Sequence, residues 1–470
     1  MSGNDHDLYD VDVPIALRNA LDDIPQDLRY VIALSGGLDS VVLLHLCVPF
    51  LRQRQVEIVP VHIHHDLSPN ADDWARHCKK ICKTLDLDCQ VEKVSVRSSG
   101  EGLEAAARKA RYAVFSRYLA EGGILLQGHH LNDQAETVLM RLIRGAGPEG
   151  LSGIPRVRSL SGGRVYRPWL SVPRETLELV AQGMGLEWVE DESNQDLGFD
   201  RNFIRHKVLP VLSGRWSTVL SSLDSVAHRA SDAQALITAA CARMMADVLS
   251  PAFRQDHALD LSRLGRLDQN QQHALVRFWF DQLDVPHPSR AIFARIWSEL
   301  IPAAEDSQPL IQWGVHQLRR YQGCLFYVDA DSFNTPSDSQ SIDVNKADLP
   351  LPVPFGRRSL LLEKYPPGQA IPDGVSLLRW PDTDEVLHLA TRQGGENFVP
   401  AGSNQHRPLK KVLQGEGVPP WRRADIPLLY YGESLAMAGL ERIAEGYTAG
   451  IAKTALGISW LEISKDGNEM

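Results

Sequence analysis

The sequence has few of the features that mark secreted, membrane or metal-cluster proteins. Its six cysteines, spread over 470 residues, form no C-x-x-C pair, so a zinc or iron–sulfur site of paired cysteines is not indicated. No apolar run approaches the roughly 18 residues that cross a bilayer. The N-terminus, MSGNDHDLYD, is too polar and acidic for a secretory signal. We therefore expect a cytoplasmic protein with no membrane partner.

An overall positive charge is also missing, since the net charge is −10. Taken alone, that value argues mildly against a nucleic-acid partner. Three local strips run the other way: residues 141–174 hold seven arginines and one acid, residues 201–215 four basic residues and no acid, and residues 403–423 five basic residues and one acid. Such strips can hold a polyanion on one face of an acidic protein, although ordinary solvated charge is an equal alternative.

The first part of the chain alternates apolar strand-like runs with amphipathic helical patterns, which predicts a doubly wound parallel α/β sheet with ligands at the carboxyl ends of its strands. The predicted strands are Tyr30–Leu34, Val56–Ile63, Cys89–Val94 and Ile124–Gln127. The predicted helices are Ser40–Phe50, Asp72–Leu85, Leu103–Leu119 and Asp133–Arg144.

The length requires more than one core. Composition changes divide the chain into an α/β domain (1–215), a mainly helical domain (216–330), a polar linker (331–350) and a small mixed C-terminal domain (351–470). We find no internal repeat.

A glycine-rich loop, Ser35-Gly36-Gly37-Leu38-Asp39-Ser40, stands between the first strand and the next helix. Its glycines let the backbone approach a phosphate, and the helix start offers unpaired N–H groups. The lysine of the G-x-x-x-x-G-K-[ST] loop is absent. Asp39 stands there instead, and an acid beside a triphosphate points to Mg²⁺, with Asp39 as its ligand or outer-sphere partner. A simple Gly-Ser turn is the alternative.

A second constellation, Gly128–Thr137, begins where the fourth strand ends and so faces the same edge of the sheet. Asp133 and Glu136 share one helix face and can hold an ammonium group or a metal. His129 and His130 can contribute hydrogen bonds or proton transfer. The alternative is helix capping by Asn132 or Asp133 with a solvated Glu136.

The S-G-G-x-D-S loop after a strand resembles that of the PP-loop ATP pyrophosphatases, which split ATP between its α- and β-phosphates. The succession that follows is similar to the lysidine synthetases of that family, and the resemblance covers nearly the whole chain. The segments that carry it are 128–137, 142–154, 167–170, 188–194, 200–205, 288–297, 319–321, 410–413, 418–421 and 426–429. Two positions depart from the family pattern: Asp66 stands where glycine is expected, and Trp169 where leucine is more usual.

The resemblance implies an ATP- and Mg²⁺-dependent ligation of free L-lysine to C2 of the wobble cytidine in the CAU anticodon of isoleucine tRNA. The base oxygen would first take AMP from ATP, and the lysine ε-amine would then displace it. An amine cannot attack the unactivated base, so adenylylation supplies the leaving group.

With this reaction as the expectation, we assign roles to the candidate residues. Ser35, Gly36, Gly37, Leu38, Asp39 and Ser40 would bind ATP, with Asp39 on the metal. His129, Asp133 and Glu136 would bind lysine and keep its amine uncharged. Arg108 or Arg111 would meet a phosphate or carboxylate, and Arg201 and Arg205 the adenylate or the anticodon loop. The tRNA acceptor stem would contact a C-terminal set, Arg407, Lys410, Lys411, Arg422 and Arg423, largely through phosphates.

Three other functions stay open at this point. A tRNA-thiolating relative has the same loop but needs paired or nucleophilic cysteines, which this chain lacks. An RNA-binding scaffold with a decayed nucleotide fold conflicts with the intact loop and carboxylates. A small-molecule adenylating ligase does not explain the extra domains with basic strips. The oligomeric state is not determined, with a homodimer as an alternative to a monomer.

Overall fold

The computed structural model describes residues 13–66, 68–95, 103–304, 307, 309–332, 341–355, 358–403 and 405–461. They belong to two compact units, Met1–Ala239 and Ala240–Met470. Within the described ranges, no helix is both long enough and apolar enough to cross a membrane.

The first unit is built on a six-stranded sheet in the order β3-β2-β1-β4-β6-β5. Its strands are β1 (Arg29–Ala33), β2 (Glu57–His64), β3 (Gln90–Lys93), β4 (Ile124–Leu126), β5 (Val157–Leu160) and β6 (Gly163–Tyr166). All neighbouring pairs are parallel except β5 with β6. The four strands predicted from the sequence are confirmed. The β5–β6 hairpin was not predicted, because its arginine-rich residues lack an apolar run.

The helices of this unit are α1 (Ile15–Asp22), α2 (Leu38–Arg52), α3 (Ala71–Thr84), α4 (Leu103–Tyr118), α5 (Leu131–Ile143), α6 (Pro148–Leu151), α7 (Arg174–Gly183), α8 (Asp200–Phe203) and α9 (Leu209–Arg215). Helix α10 (Val219–Val248) begins in this unit and ends in the second. A π-helical turn, Ile204–Val208, joins α8 to α9. The four predicted helices are α2 to α5, with ends displaced by a few residues.

Side chains alternate across the central strands and form two cores. Tyr30 and Ile32 join the cluster that contains α2 and α7, whereas Val31 points to the opposite cluster with Phe115 of α4 and with Leu119, which follows that helix. Because successive residues of a strand face opposite sides, helices cover both faces of the sheet. The doubly wound fold is confirmed.

Strand order reverses between β1 and β4, since β2 lies on one side of β1 and β4 on the other. Ligands of open α/β sheets bind at such a switch point, outside the carboxyl ends of the strands. The Ser35–Ser40 loop follows β1 and the Gly128–Thr137 constellation follows β4. The topology therefore places the two motifs at one edge.

The second unit begins with a helical region backed by a sheet. Its elements are β7 (Leu259–Asp260), α11 (Leu261–Leu264), α12 (Gln269–Gln282), α13 (Arg290–Arg295), β8 (Leu310–Trp313), β9 (His316–Tyr321) and β10 (Cys324–Asp329). The strands form an antiparallel sheet in the order β7-β10-β9-β8. We predicted a mainly helical region here and missed this sheet, whose polar exposed face hides its apolar alternation.

The C-terminal region packs two four-stranded sheets around one apolar cluster, in the orders β11-β15-β18-β19 and β12-β13-β20-β14. The elements are β11 (Ser341–Val344), β12 (Leu351–Phe355), β13 (Arg358–Tyr365), β14 (Ser376–Arg379), β15 (Leu387–Ala390), β16 (Asn397–Phe398), β17 (Arg407–Pro408), α14 (Leu409–Gly415), β18 (Leu428–Tyr431), β19 (Ser434–Ala438) and β20 (Ala455–Trp460). Residues 341–344, assigned to the linker, instead pair with β15. Residues 333–340 of that linker lie outside the described ranges.

A short segment of the C-terminal region, residues 418–423, docks on the β9–β10 sheet. The Trp421 ring lies 5.3 Å from that of Phe326 and 6.0 Å from that of Tyr321, centroid to centroid. Arg423 donates to the Tyr321 hydroxyl at 3.2 Å, and Arg422 pairs with Asp256. This docking segment joins the two parts of the second unit.

We expect Trp421→Ala to lower the unfolding free energy of the second unit by about 2 kcal/mol, because a half-buried ring leaves an aromatic cluster. Urea unfolding followed by circular dichroism measures the change. Ile451→Ala removes an apolar side chain that is 62% exposed and serves as the control, with a change within about 0.5 kcal/mol. Equal stability of both variants would show that the docking segment contributes nothing.

Candidate active site

A cavity of about 880 Å³ opens at the carboxyl edge of the first unit's sheet. Its walls come from the loop after β1, the end of β2, the start of α5, the segment 188–195 and the helix that begins at Asp200. Of the residues predicted for the first unit's site, Ser35, Gly37, Leu38, Asp39, Ser40, Arg108, Arg111, His129, Asp133, Arg201 and Arg205 line it. The topology thus brings together side chains separated by up to 170 positions in the sequence.

The glycine-rich loop Ser35–Ser40, called the phosphate loop below, is held in its conformation by its own serines. Ser40 Oγ accepts from the N–H groups of Ser35 and Gly36, each at 3.1 Å, and donates to Gly37 O at 2.9 Å. Ser40 is 7% exposed, so its hydroxyl organises the loop instead of pointing outward as a phosphate donor. The loop then leads into the first turn of α2, where unpaired N–H groups are available to an anion.

Two glycines allow the loop to pack closely. Gly36 has a φ of +89°, and a Cβ on it would lie 3.1 Å from Cys78 Sγ and from Val189 Cγ2. A Cβ on Gly128 would lie 2.9 Å from the carbonyl oxygen of Asp39. Glycine at position 36 therefore lets the loop pack against α3 and Val189, and glycine at position 128 lets the segment after β4 approach the backbone of Asp39.

His130 links the phosphate loop to α5. Its Nε2 lies 3.6 Å from Asp39 Oδ2 and 3.5 Å from Asp133 Oδ2, while its Nδ1 accepts from the Asp133 N–H at 3.3 Å. Burial lowers the pKa of His130, but the surrounding carboxylates of Asp133, Asp39 and Glu136 outweigh burial and raise it. From the sequence we expected either histidine to contribute and assigned the functional role to His129. His130, however, is the histidine that contacts both motifs.

Two carboxylates of α5 and two guanidinium groups form a closed cluster. Arg201 donates to Asp133 Oδ1 and to Glu136 Oε2, both at 2.8 Å. Arg205 donates to Glu136 Oε1 at 2.6 Å and Oε2 at 3.0 Å, and to Asp133 Oδ1 at 3.3 Å. Glu136 is 0% exposed, and both of its oxygens are occupied. The solvated Glu136 of the helix-capping alternative is therefore wrong, and a direct contact of Glu136 with lysine would require an arginine to leave.

The capping alternative does hold for Asp133, whose Oδ2 accepts from the His130 N–H at 3.0 Å in a reciprocal capping box. Burial raises the pKa of Asp133, but His130 and Arg201 outweigh burial and lower it to about 2. Burial, reinforced by Arg167, Arg111 and Arg201, lowers the pKa of His129 to about 3 despite Asp133. Both groups are thus weak bases in this arrangement.

Arginines also gather around Tyr112 of α4. Arg108, Arg111 and Arg158 place their guanidinium carbons 5.0, 5.7 and 4.6 Å from the ring centroid. Arg167 is 2% exposed and donates to Gln127 Oε1 at 3.0 Å. Arg108 and Arg111 line the cavity as the sequence suggested, and the ring that orders them was not foreseen.

The two departures from the family pattern are accommodated. Asp66 lines the cavity with a φ of +56°, the left-handed conformation that glycine favours and aspartate tolerates. The turn is therefore kept. Trp169 is fully buried in the main core, as expected of an apolar exchange.

Many arginines of the 141–174 strip have partners inside the protein. Arg141 donates to the carbonyl oxygens of Gly150 and Gly153, Arg156 to the Ser171 hydroxyl, and Arg167 to Pro155 O. Much of this strip therefore stabilises the β5–β6 side of the fold.

The C-terminal basic residues fall into two groups. Arg407, Lys410 and Lys411 are exposed at the start of α14. Arg423 is 9% exposed and its donors are used by Val418 O and the Tyr321 hydroxyl, while Arg422 pairs with Asp256. Arg423, which we expected to contact RNA phosphates, therefore belongs to the docking segment.

The oxygen atoms beside the phosphate loop suit a Mg²⁺ ion. Asp39 Oδ1 is buried and has no hydrogen-bond partner, as expected for an oxygen reserved for a cation. Within the described ranges, no three acids, histidines or cysteines are placed to hold a metal alone. Mg²⁺ usually takes one or two carboxylates together with substrate phosphates, so a single oriented carboxylate beside a phosphate loop fits.

The fold and this cavity define a nucleotide-binding enzyme of the PP-loop class. The family model described as "PP-loop domain" matches residues 10–212, "TilS substrate binding domain" residues 259–326, and "TilS substrate C-terminal domain" residues 387–460. The tRNA(Ile)-lysidine synthases of Salmonella typhimurium and Salmonella heidelberg are each 37% identical over 420 residues, which is 89% of this chain and 94% of theirs. The chain belongs to the tRNA(Ile)-lysidine synthase family.

Among solved structures, the U34-tRNA thiolase NcsA from Methanococcus maripaludis aligns with a TM-score of 0.39 and 15% identity, over 46% of this chain and 76% of that one. This likeness is too weak to support an argument.

The low pKa of His129 gives a pH prediction. Its pKa falls from 6.5 to about 3 on folding, so below pH 6.5 the unfolded chain binds a proton that the folded chain refuses. Between pH 7 and pH 5 this group alone should lower the unfolding free energy by about 2 kcal/mol. His129→Gln should remove that part of the pH dependence, measured by urea unfolding at both pH values.

His228→Gln, which removes a largely exposed histidine of α10, is the control and should keep the wild-type slope. If His129→Gln shows the same change of the unfolding free energy between pH 7 and pH 5 as the wild type, His129 is protonated at pH 5 in the folded protein.

Proposed function

We propose that this protein joins free lysine to C2 of the wobble cytidine in a CAU-anticodon isoleucine tRNA, at the expense of ATP. One observation carries the proposal. In this chain, which belongs to the family, His130 connects the phosphate loop to the cluster of Asp133, Glu136, Arg201 and Arg205. Such a site can activate a base oxygen with AMP and then present an amine to the activated carbon. We infer the cytoplasm as its location, because tRNA, ATP and free lysine meet there.

In the first step the C2 oxygen of the base attacks the α-phosphate of ATP and pyrophosphate leaves. The loop Ser35–Ser40 and the start of α2 would hold the phosphates, while Arg201 and Arg205 balance charge on the adenylate. Catalysis of this kind depends on positioning and charge neutralisation. The cluster supports it, because both guanidinium groups are oriented by Asp133 and Glu136 before any substrate arrives.

Asp39 would hold a Mg²⁺ ion through the oxygen that has no hydrogen-bond partner. A bound Mg²⁺ ion would neutralise phosphate charge. His130 keeps Asp39 in place from the opposite oxygen.

In the second step the lysine ε-ammonium loses its proton to water, the resulting amine attacks C2, and the C2–O bond breaks as AMP leaves. Asp133, whose side chain is 11% exposed and lines the cavity, would attract the lysine ammonium groups through its charge, since both of its oxygens already accept hydrogen bonds. Glu136 would instead position Arg201 and Arg205, since it has no exposed surface. The weak basicity of Asp133 and His129 favours an electrostatic role over proton removal for both.

Thiolation is less well supported. All six cysteines are free, and none lines the cavity. Cys78 lies beneath the phosphate loop with its Sγ 3.3 Å from His62 Nδ1, and burial raises its pKa. No cysteine therefore places a thiolate in the cavity.

Incubation with ATP, Mg²⁺, labelled lysine and unmodified tRNA tests the proposal. Label should enter the isoleucine tRNA with the CAU anticodon, and a transcript with a uridine at the wobble position should take none. Absence of lysine in the RNA, or sulfur transfer from a thiol donor, would reject the proposed reaction.

We expect Asp39→Asn to slow pyrophosphate release on the order of 10²-fold, the scale for one lost electrostatic contact in a reacting site. The variant keeps the size of the side chain, so the fold should be intact by circular dichroism. Asp22→Asn makes the same charge change on an exposed residue of α1 and should leave the rate unchanged. A normal rate for Asp39→Asn would contradict the metal assignment.

The division of the C-terminal basic residues predicts different salt dependences. Lys410→Ala with Lys411→Ala should reduce the slope of log affinity for tRNA against log salt by about 2, one for each lost phosphate contact. Arg423→Ala should leave the slope largely unchanged and lower stability. Arg243→Ala with Lys453→Ala removes the same charge from exposed positions and is the control. An equal slope change in this control pair would show a general charge effect.

A further inference from the structure

Two phenylalanines stand unusually exposed beside the cavity. Phe199 and Phe203 are each 49% exposed. Large aromatic side chains normally bury most of their surface, and exposed apolar clusters next to polar groups often mark interaction sites. Phe199 also lines the cavity that contains the phosphate loop, and Phe203 follows it four residues later.

The helix that carries the rings has two chemically different faces. The Phe203 N–H donates to Phe199 O at 2.9 Å, which places the two residues one turn apart and about 40° from each other around the axis. Arg201 is about 200° from Phe199 on the same wheel and points to Asp133 and Glu136. The arginine on one face thus forms ion pairs inside the protein, while the two phenylalanine rings on the other face are exposed to solvent.

The surroundings of the rings are charged on both sides. Arg144, at the end of α5, lies beside the start of α8, where it pairs with Asp200 at 3.3 Å; their side chains are 64% and 77% exposed. Lys207 is exposed one turn beyond Phe203. Two flat apolar rings beside an ion pair and followed by the exposed cation of Lys207 match the chemistry of unpaired nucleotides, whose bases have apolar faces and whose backbone is anionic.

We propose that Phe199 and Phe203 stack on unpaired anticodon-loop bases that flank the base entering the cavity. The inference rests on the proposed function, and it adds the contact that holds the loop open at the site. Stacking on these rings would stabilise a splayed loop, so that the reacting base reaches the phosphate loop while its neighbours stay outside. Because every base has a flat π face that can stack, the rings would increase the affinity for tRNA without selecting which bases flank the reacting one.

The test measures lysine attachment by full-length Phe199→Leu, Phe203→Leu and double variants. Leucine keeps an apolar side chain but removes the stacking face. Each single variant should raise KM for tRNA by about tenfold, the scale of one lost base–aromatic stack, with KM for ATP unchanged. Phe199→Trp and Phe203→Trp should restore the wild-type KM.

Leu28→Ala is the matched control, since Leu28 is 83% exposed just before β1, at the opposite end of the sheet from the cavity. It should leave KM for tRNA unchanged. If the double leucine variant has a wild-type KM, or if leucine and tryptophan act alike, the rings do not stack on RNA. If the variants change the sedimentation coefficient of the free protein and not KM, the rings form a protein interface and the inference is overturned. A wild-type protein that attaches no lysine would reject the proposed function itself, which is a different outcome.

Discussion

The balance of buried charge between Glu136 and the pair Arg201 and Arg205 is the constraint on which the site depends. A carboxylate with no exposed surface is costly to remove from water unless charged donors surround it. Those donors come from the helix that begins at Asp200, which is thereby held against α5. Asp133 extends the cluster to His130, and His130 extends it to Asp39. The phosphate loop, α5 and the helix that begins at Asp200 are therefore linked by one network of charged side chains.

This network has chemical consequences beyond position. His130 and Arg201, one of the two arginines that neutralise Glu136, lower the pKa of Asp133, and Arg201 adds to the effect of burial in lowering the pKa of His129. Groups that look like bases in the sequence are therefore weak bases in the fold. Turning the arginines inward also decides where the rest of their helix points. Phe199 and Phe203 are left on the outer face. One charge balance thus sets both the inner chemistry and the outer surface.

The sequence predicted much of the fold where the apolar pattern is strong. Strands β1 to β4 and helices α2 to α5 were found because their buried residues recur with the periods of strands and helices. The β5–β6 hairpin, the β7–β10 sheet and β11 were missed, because their short polar strands owe their structure to pairing with neighbours distant in the chain. Among the residues predicted for the site, most of the Ser35–Ser40 loop and Asp133 line the cavity, and local spacing was enough to select them. The contacts of His130 and the docking function of Arg423 were not found, because each depends on partners from other elements.

The sequence by itself determined the class of chemistry: a glycine loop with an acid after a strand, a second polar motif after a later strand, and an order of motifs that places the chain in its family. These signals are local, since a loop's backbone freedom and a helix face depend on residues a few positions apart. Only the tertiary structure decided which charges meet. Glu136 and Arg205 are 69 positions apart and Arg423 and Tyr321 are 102, and no local pattern records such a pairing. Burial then decided the role of Glu136. An exposed carboxylate at that position could bind a ligand, whereas the buried one is held by two arginines.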